Sequence, residues 1–241
     1  MMRMRFMTII ICFALASVLA AGCGPKREPP RGPPPIIGQE EVISFYNANC
    51  ARIGHLWSRA KIRVQFPKTD KSGKPVQPAK YEVHDMDGHL VVHKPDKMFL
   101  QGAVIGSPMF NLGSNEKEYW LWLKPADNTV WIGRRKGASG GGGFGRMALE
   151  LPEALGIYPL RVAKNQLALF TRYPEHNGIE VVELSGKRAF VSKRFWFDRW
   201  EHVLVRIDFF LPDGSCVMSS RLADFADIDG VKIARKYLVR L

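Results

Sequence analysis

Apolar and polar residues alternate strictly through Ala60-Lys61-Ile62-Arg63-Val64-Gln65-Phe66, the period of a strand with one buried face. Tyr81 to Val92 reads as a hairpin that turns at Asp87-Gly88, a dipeptide suited to the type I′ turn. That turn would bury Tyr81, Val83, Leu90 and Val92 and leave Glu82, His84, His89, Val91 and His93 on the other face. Met98 to Ile105, Tyr119 to Leu123 and Thr129 to Arg134 follow as strands between Gly-Ser, Ser-Asn and Asp-Asn turn signals. Strands return from Gln166. Val203, Val205, Ile207, Phe209 and Leu211 alternate with Leu204, Arg206, Asp208 and Phe210, and Asp213-Gly214 and Asp229-Gly230 supply turns.

Two segments carry a different period. Val42, Phe45, Tyr46, Asn49, Cys50 and Ile53 recur at helical spacing, with Glu40 and Glu41 in the first turn, where the helix dipole favours acids. Arg146 to Leu155 reads as a second helix, and Met147, Leu149, Leu151 and Leu155 can cover the mouth of a sheet. The tract Gly137 to Gly145 before it reads as a loop on which that helix could hinge. About ten strands and two helices in meander order predict one antiparallel sheet in a single domain, residues 39–241.

A sheet of that size must curl, and its concave face must meet apolar matter. Two helices cannot fill it, so the expectation is a cavity suited to a ligand resembling an acyl chain. The candidate lining is the apolar phase of the strands: Ala60, Ile62, Val64, Phe66, Leu90, Val92, Val203, Val205, Ile207 and Phe209.

A hydrophobic content of 46% supports a packed core. The net charge of +12 would suggest nucleic acid, but the basic residues are scattered through strand segments rather than clustered with stacking aromatics. An anionic lipid surface is the better acidic partner.

The N-terminus decides the compartment. Arg3 and Arg5 precede an almost unbroken apolar run from Phe6 to Ala21, in charge and length a signal peptide (1–22) and too short for a membrane span of about 20 apolar residues. Leu19-Ala20-Ala21-Gly22-Cys23 resembles the lipobox of bacterial lipoproteins, with Ala20 where leucine is usual. The resemblance implies cleavage before Cys23 and lipidation of its thiol. Residues 23–38 include GPKREPPRGPPP, a proline-rich tether that favours polyproline II at about 3.1 Å per residue. Cys50 and Cys216 remain in the folded part, where an oxidising compartment allows pairing and burial as separate small hydrophobes is the alternative.

Candidate chemistry is sparse. His84, His89 and His93 lie near Glu82, Asp85 and Asp87, but a flat hairpin spreads them, so they are expected to face water and no metal site is assigned. Asp224, Asp227 and Asp229 read as turn residues. No Gly-x-Ser-x-Gly elbow or His-Glu-x-x-His helix is present, so no catalytic residue is assigned and the expectation is a protein that is not an enzyme and needs no cofactor. Trp120, Trp122, Trp131, Trp196 and Trp200 suit the core, a cavity wall or a membrane interface.

Pro95-Asp96-Lys97-Met98-Phe99-Leu100 and Leu112 to Trp122 (LGSNEKEYWLW) resemble a strand, a turn and an aromatic strand of the outer-membrane lipoprotein carrier and receptor superfamily, the LolA/LolB-like proteins. Phe197-Asp198 to Gly214 and Asp229-Gly230-Val231-Lys232-Ile233 resemble the paired strands that end those domains. The resemblance covers roughly Gln39 to Leu241. It implies a mainly β fold with some α: an unclosed antiparallel β-barrel, that is a strongly curved sheet, with a few helices lidding an apolar cavity. It implies a monomer that binds lipid or lipoprotein acyl chains, with a periplasmic carrier as a further partner. Cys23 then points to the anchored, receptor side, and Gly24 in place of an aspartate to the outer membrane facing the periplasm. Ile233-Ala234-Arg235 lacks a proline common in the family, and neither its cavity arginine nor its membrane-inserting leucine has a match here. The alternative is a structural or interaction lipoprotein whose barrel is filled by its own side chains.

Overall fold

Strand-forming patterns become twelve strands in the computed structural model, which describes residues 32–67, 81–124, 128–135, 150–186 and 188–240. The predicted signal peptide, Cys23, most of the predicted tether and the glycine tract lie outside these residues. Helix α1 (Gln39–Ala51) comes first, followed by β1 (His55–Pro67), β2 (Tyr81–His93), β3 (Lys97–Val104), β4 (Ser107–Ser114), β5 (Glu118–Leu123) and β6 (Thr129–Arg134). Residues 150–154 are helical. The chain ends with β7 (Gln166–Arg172), β8 (His176–Ser185), β9 (Arg188–Asp198), β10 (Leu204–Phe210), β11 (Cys216–Ile228) and β12 (Val231–Arg240).

The strands form two sheets of six, each an antiparallel meander, in the orders β1-β2-β3-β4-β5-β6 and β12-β11-β10-β9-β8-β7. The single sheet expected from the sequence is therefore divided. β6 and β7 are not hydrogen-bonded neighbours, and the chain between them includes the helical residues 150–154. Neither sheet is closed.

β2 corrects a second expectation. Asp87 and Gly88 do not turn the chain. They sit mid-strand, with Asp87 between Lys61 of β1 and Ala103 of β3, and Gly88 between Ala60 and Gly102. A Cβ on Gly88 would lie 2.0 Å from the Gln101 carbonyl oxygen, so the glycine serves close strand approach. Alternation then runs unbroken from Tyr81 to His93. Val83 moves to the outer face, where it is 49% exposed, while Leu90 and Val92 stay buried. The inward set of this sheet is read across the register: Ala60, Gly88, Gly102, Phe110 and Leu123 in one row, and Ser58, Leu90, Leu100, Leu112, Leu121 and Trp131 in the next.

In the second sheet the inward row is Phe170, Ile179, Phe195, Ile207, Ser220 and Val239. A bulge between Leu204 and Arg206 inserts a residue and resets the phase. Leu204 is thus buried at the start of β10, and Val205, expected to share the phase of Ile207, is only half-buried.

One hydrophobic core takes residues from both sheets, from α1 (Val42, Tyr46, Cys50) and from the segment around Leu151, Ala154, Leu155 and Ile157. Leu151, Ala154 and Leu155 are buried, and Glu153 forms an ion pair with Lys193 of β9. The described part of the second predicted helix is therefore packed core, not a cover over an open mouth. Cys50 is buried and Cys216 exposed, both as free thiols.

Candidate functional site

α1 is held against the second sheet by its polar side chains. Glu41 Oε2 accepts from the Gly38 N–H at 2.8 Å and starts the helix. Asn49 exchanges two hydrogen bonds with the Lys232 backbone, at 2.9 and 2.8 Å, and Asn47 does the same with Leu160, at 3.0 and 2.8 Å. The Tyr46 hydroxyl donates to the Tyr158 carbonyl at 2.8 Å. Arg52 donates to the Gly230 and Asp229 carbonyls of the β11–β12 turn, at 2.7 and 2.5 Å. That turn stands where the sequence placed it, with Asp229 and Gly230 both at positive φ, the type I′ requirement.

These contacts leave a cavity of about 280 Å³ beside α1. Its apolar wall comes from Phe45 and Tyr46 of α1 and Ile53 just after it, from Leu155 and Ile157, and from Leu222, Phe225, Ile233 and Tyr237 of the last hairpin. Gly156 forms part of the wall at φ +67°, where a Cβ would approach Leu222 to 2.9 Å. Arg52, Asn49, Lys232, Glu201 and His202 supply its polar groups. The ammonium of Lys232 is paired with the Glu201 carboxylate, and the Arg52 guanidinium is spent on the turn carbonyls. Burial pushes the Tyr237 hydroxyl up to about 12 and the Tyr46 hydroxyl well above its ordinary range. The Cys50 thiol behind Tyr46 rises to about 11, again by burial. All three stay protonated at neutral pH, so Tyr46 and Tyr237 add no charge to the wall.

His202 is the exception among these satisfied groups. It lies in the β9–β10 connection, which Asp198 closes by accepting from the Trp200 and Glu201 N–H groups at 2.9 and 2.7 Å. The His202 backbone takes φ +55°, and its ring stacks on Phe45 with centroids 5.2 Å apart. Its Nδ1 is buried with no hydrogen-bond partner among the described residues. An unpaired buried polar group of this kind costs about 1–3 kcal/mol.

The residues predicted to line a cavity divide into three sets. Val203 borders this one. Leu90, Val92, Ile207 and Phe209 are solid core, each touching other protein side chains. Ala60, Ile62 and Val64 share the inward face of the first sheet but are only half-buried, as is Val205 at the bulge. The side chain of Phe66 and Cys23, the predicted lipidation position, lie outside the described residues. Tyr46, Leu222, Phe225, Tyr237 and His202 were missed, although Leu222 and Tyr237 face each other across a hairpin that its Asp-Gly turn made readable. None of Trp120, Trp122, Trp131, Trp196 and Trp200 borders the cavity. Trp120 lies over Gly113 on the outer face of the first sheet, and Trp196 donates to Asp208 at 3.1 Å. The histidines of β2 do not converge: Glu82 and His84 share the inner face, and His89 and His93 the outer. Among the described residues no group of three or more His, Cys, Asp or Glu side chains could hold a metal ion.

No family model matches the sequence, and no curated protein matches it. Solved structures do. A LolA superfamily protein from Nitrosomonas europaea is similar with a TM-score of 0.50 at 7% identity, over 85% of this chain and 86% of that one. A putative outer membrane lipoprotein-sorting protein domain from Vibrio parahaemolyticus is similar with a TM-score of 0.51 at 13% identity, over 82% of each chain. At such identities the likeness concerns the path of the backbone and not the side chains that line a site. The fold of this chain is that of the LolA superfamily.

Proposed function

We propose that this chain is a lipoprotein of the cell envelope, anchored through lipid on Cys23, that binds lipid or lipoprotein acyl chains by reversible burial and performs no chemistry on them. The half-open apolar cavity beside α1 carries the reading. Its apolar wall suits alkyl groups, each buried methylene gains about 0.8 kcal/mol, and the fold is shared with a putative lipoprotein-sorting domain. The lipobox-like Ala20-Ala21-Gly22-Cys23 and the proline-rich segment after it support a tethered domain, and Gly24 supports the outer membrane facing the periplasm. In this reading α1 and the 151–157 segment act together as a fixed wall of the cavity, and a periplasmic carrier delivers the cargo to a monomer.

Mass spectrometry of the gently purified protein tests the proposal, with co-purifying acyl lipid expected in the native chain. Cys23→Ser should release the protein from membranes. A variant that stays membrane-bound in high salt would remove the anchor from the proposal. Phe225→Trp, placed to fill the cavity, should abolish binding of a fluorescent fatty acid while the melting temperature holds. Unchanged binding would move the site elsewhere.

A structural or interaction lipoprotein with a self-filled interior is the second reading. Ile179, Phe195, Ile207 and Phe209 favour it, since all four are fully buried by the protein's own side chains. Absence of lipid from the native protein, together with no fatty-acid binding by the purified chain, would decide for it.

A further inference from the structure

Arg206 and Arg221 stand directly opposite each other on β10 and β11, on the outer face of the second sheet, since their neighbours Ile207 and Ser220 belong to the inward row. The Cβ atoms of such a pair lie about 5 Å apart, and like charges there are destabilising. The rest of this face adds further cations. On β12, Leu238 faces Arg221, Lys236 faces Ala223 and Arg240 faces Ser219. Arg221, Lys236 and Arg240 are exposed, and none has an ion-pair or hydrogen-bond partner among the described residues. Leu238, in their midst, is 47% exposed.

The acids nearby are already occupied. Asp208 is buried and accepts from Arg206, Trp196 and Ser219 at 2.9, 3.1 and 2.7 Å. Glu180 is paired with Arg194 at 2.6 Å and Asp224 with Arg235 at 2.7 Å. The outer face of the first sheet is arranged differently. There Lys61 faces Asp87, Arg63 faces Asp85 and Arg134 faces Glu118, so each of these cations has an acid opposite. Arg221, Lys236 and Arg240 have none. Their charge is left to an anionic partner outside the chain, spread over three adjacent strands and so about 10 Å across. One phosphate cannot span that width, whereas an array of lipid headgroups can.

We infer that the outer face of β10–β12 rests on the headgroups of an anionic phospholipid bilayer, with Arg206, Arg221, Lys236 and Arg240 as the contacting cations. The choice of a bilayer over an acidic protein rests on the reading of Cys23 as a membrane anchor, which would hold the domain within reach of such a surface.

The test uses the mature chain carrying Cys23→Ser, so that attraction by the face is measured without the lipid anchor. Its co-sedimentation is followed with vesicles of phosphatidylethanolamine and phosphatidylglycerol, and with vesicles of neutral phosphatidylcholine. Binding to the anionic vesicles is expected at low salt and should fall away at high salt. Each basic residue near such a surface is worth about fivefold, so Arg221→Gln combined with Lys236→Gln should weaken binding about thirtyfold. Melting temperatures should hold, because both side chains are exposed and the loss of Arg221 relieves its repulsion of Arg206. Arg59→Gln combined with Lys97→Gln removes the same charge from the outer face of the first sheet and should leave binding nearly unchanged. Equal weakening by the two pairs would mean that net charge alone attracts the chain, and overturns the face. Equal binding to neutral and anionic vesicles overturns it as well. Failure to bind anionic vesicles at low salt overturns the membrane contact, and binding of soluble polyglutamate in that case would assign the cations to an acidic protein. The anchor reading fails separately, if the native chain carries no lipid mass on Cys23.

Discussion

Ile179, Phe195 and Ile207, neighbours in the inward row of β8, β9 and β10, have no exposed surface at all, whereas Ala60, Ile62 and Val64 on the inward phase of β1 keep part of theirs in water. Both sheets have six antiparallel strands and both alternate correctly. They differ in what lies over them. Tyr46 of α1 packs edge-on against Phe197, Asn49 is bonded to β12, and Glu153 reaches Lys193, so helix and connecting segment are fastened to the second sheet. Among the described residues the first sheet receives fewer such ties, including Lys94 to the Cys50 carbonyl at 2.5 Å and Tyr158 to the Pro95 carbonyl at 2.6 Å. Alternation specifies which face turns inward. The depth of burial on that face depends on its cover.

The largest effect that can break this comparison is core truncation. Phe195→Ala should cost about 3–5 kcal/mol in urea unfolding, and Ile62→Ala less than half as much, because part of its area never leaves water. Equal losses would mean the first sheet is as tightly covered as the second. Gly88→Ala should follow at about 2–3 kcal/mol, since its Cβ would strike the Gln101 carbonyl and Ile62, at 2.0 and 2.7 Å. A neutral result would restore the turn that the sequence suggested. Thiol labelling sharpens the comparison at a smaller scale. At pH 8, below the raised value of about 11, Cys50 remains a buried thiol, so mass spectrometry should find Cys216 alkylated and Cys50 untouched until denaturant is added. The smallest effect belongs to the outer face of β1. Arg63 and Asp85 form a two-bond ion pair that is mostly exposed, and Arg63→Ala should leave the melting temperature unchanged within error.

Much of the fold was legible because its cues are local. The helical period of Val42, Tyr46 and Cys50 marks the buried face of α1, and Phe45, counted in the same stripe, turns out half-exposed because it faces His202 rather than the core. The candidate site was less legible. Period-two alternation marks a residue as inward without saying whether its neighbour there is a ligand or another side chain, so Leu90 and Phe209 looked like cavity wall and are core. His202 carried no motif. Its interest comes from a stack with a residue of α1 far away in sequence and from a nitrogen left without a partner.

The sequence by itself determined the strand-rich composition of the elements, the place of α1 and the turns at Asp213-Gly214 and Asp229-Gly230, because those depend on residues a few positions apart. Asp87-Gly88 carries the same turn signal as Asp229-Gly230 and was decided otherwise. β1 and β3 pair with β2 on both sides of the dipeptide, and a strand that fills its ladder on both edges stays extended where an isolated one would reverse. Tertiary structure likewise decided the division into two sheets, the bulge that resets β10, and the cavity beside α1. Each depends on hydrogen bonds or contacts between segments far apart in the chain, which no local period can encode.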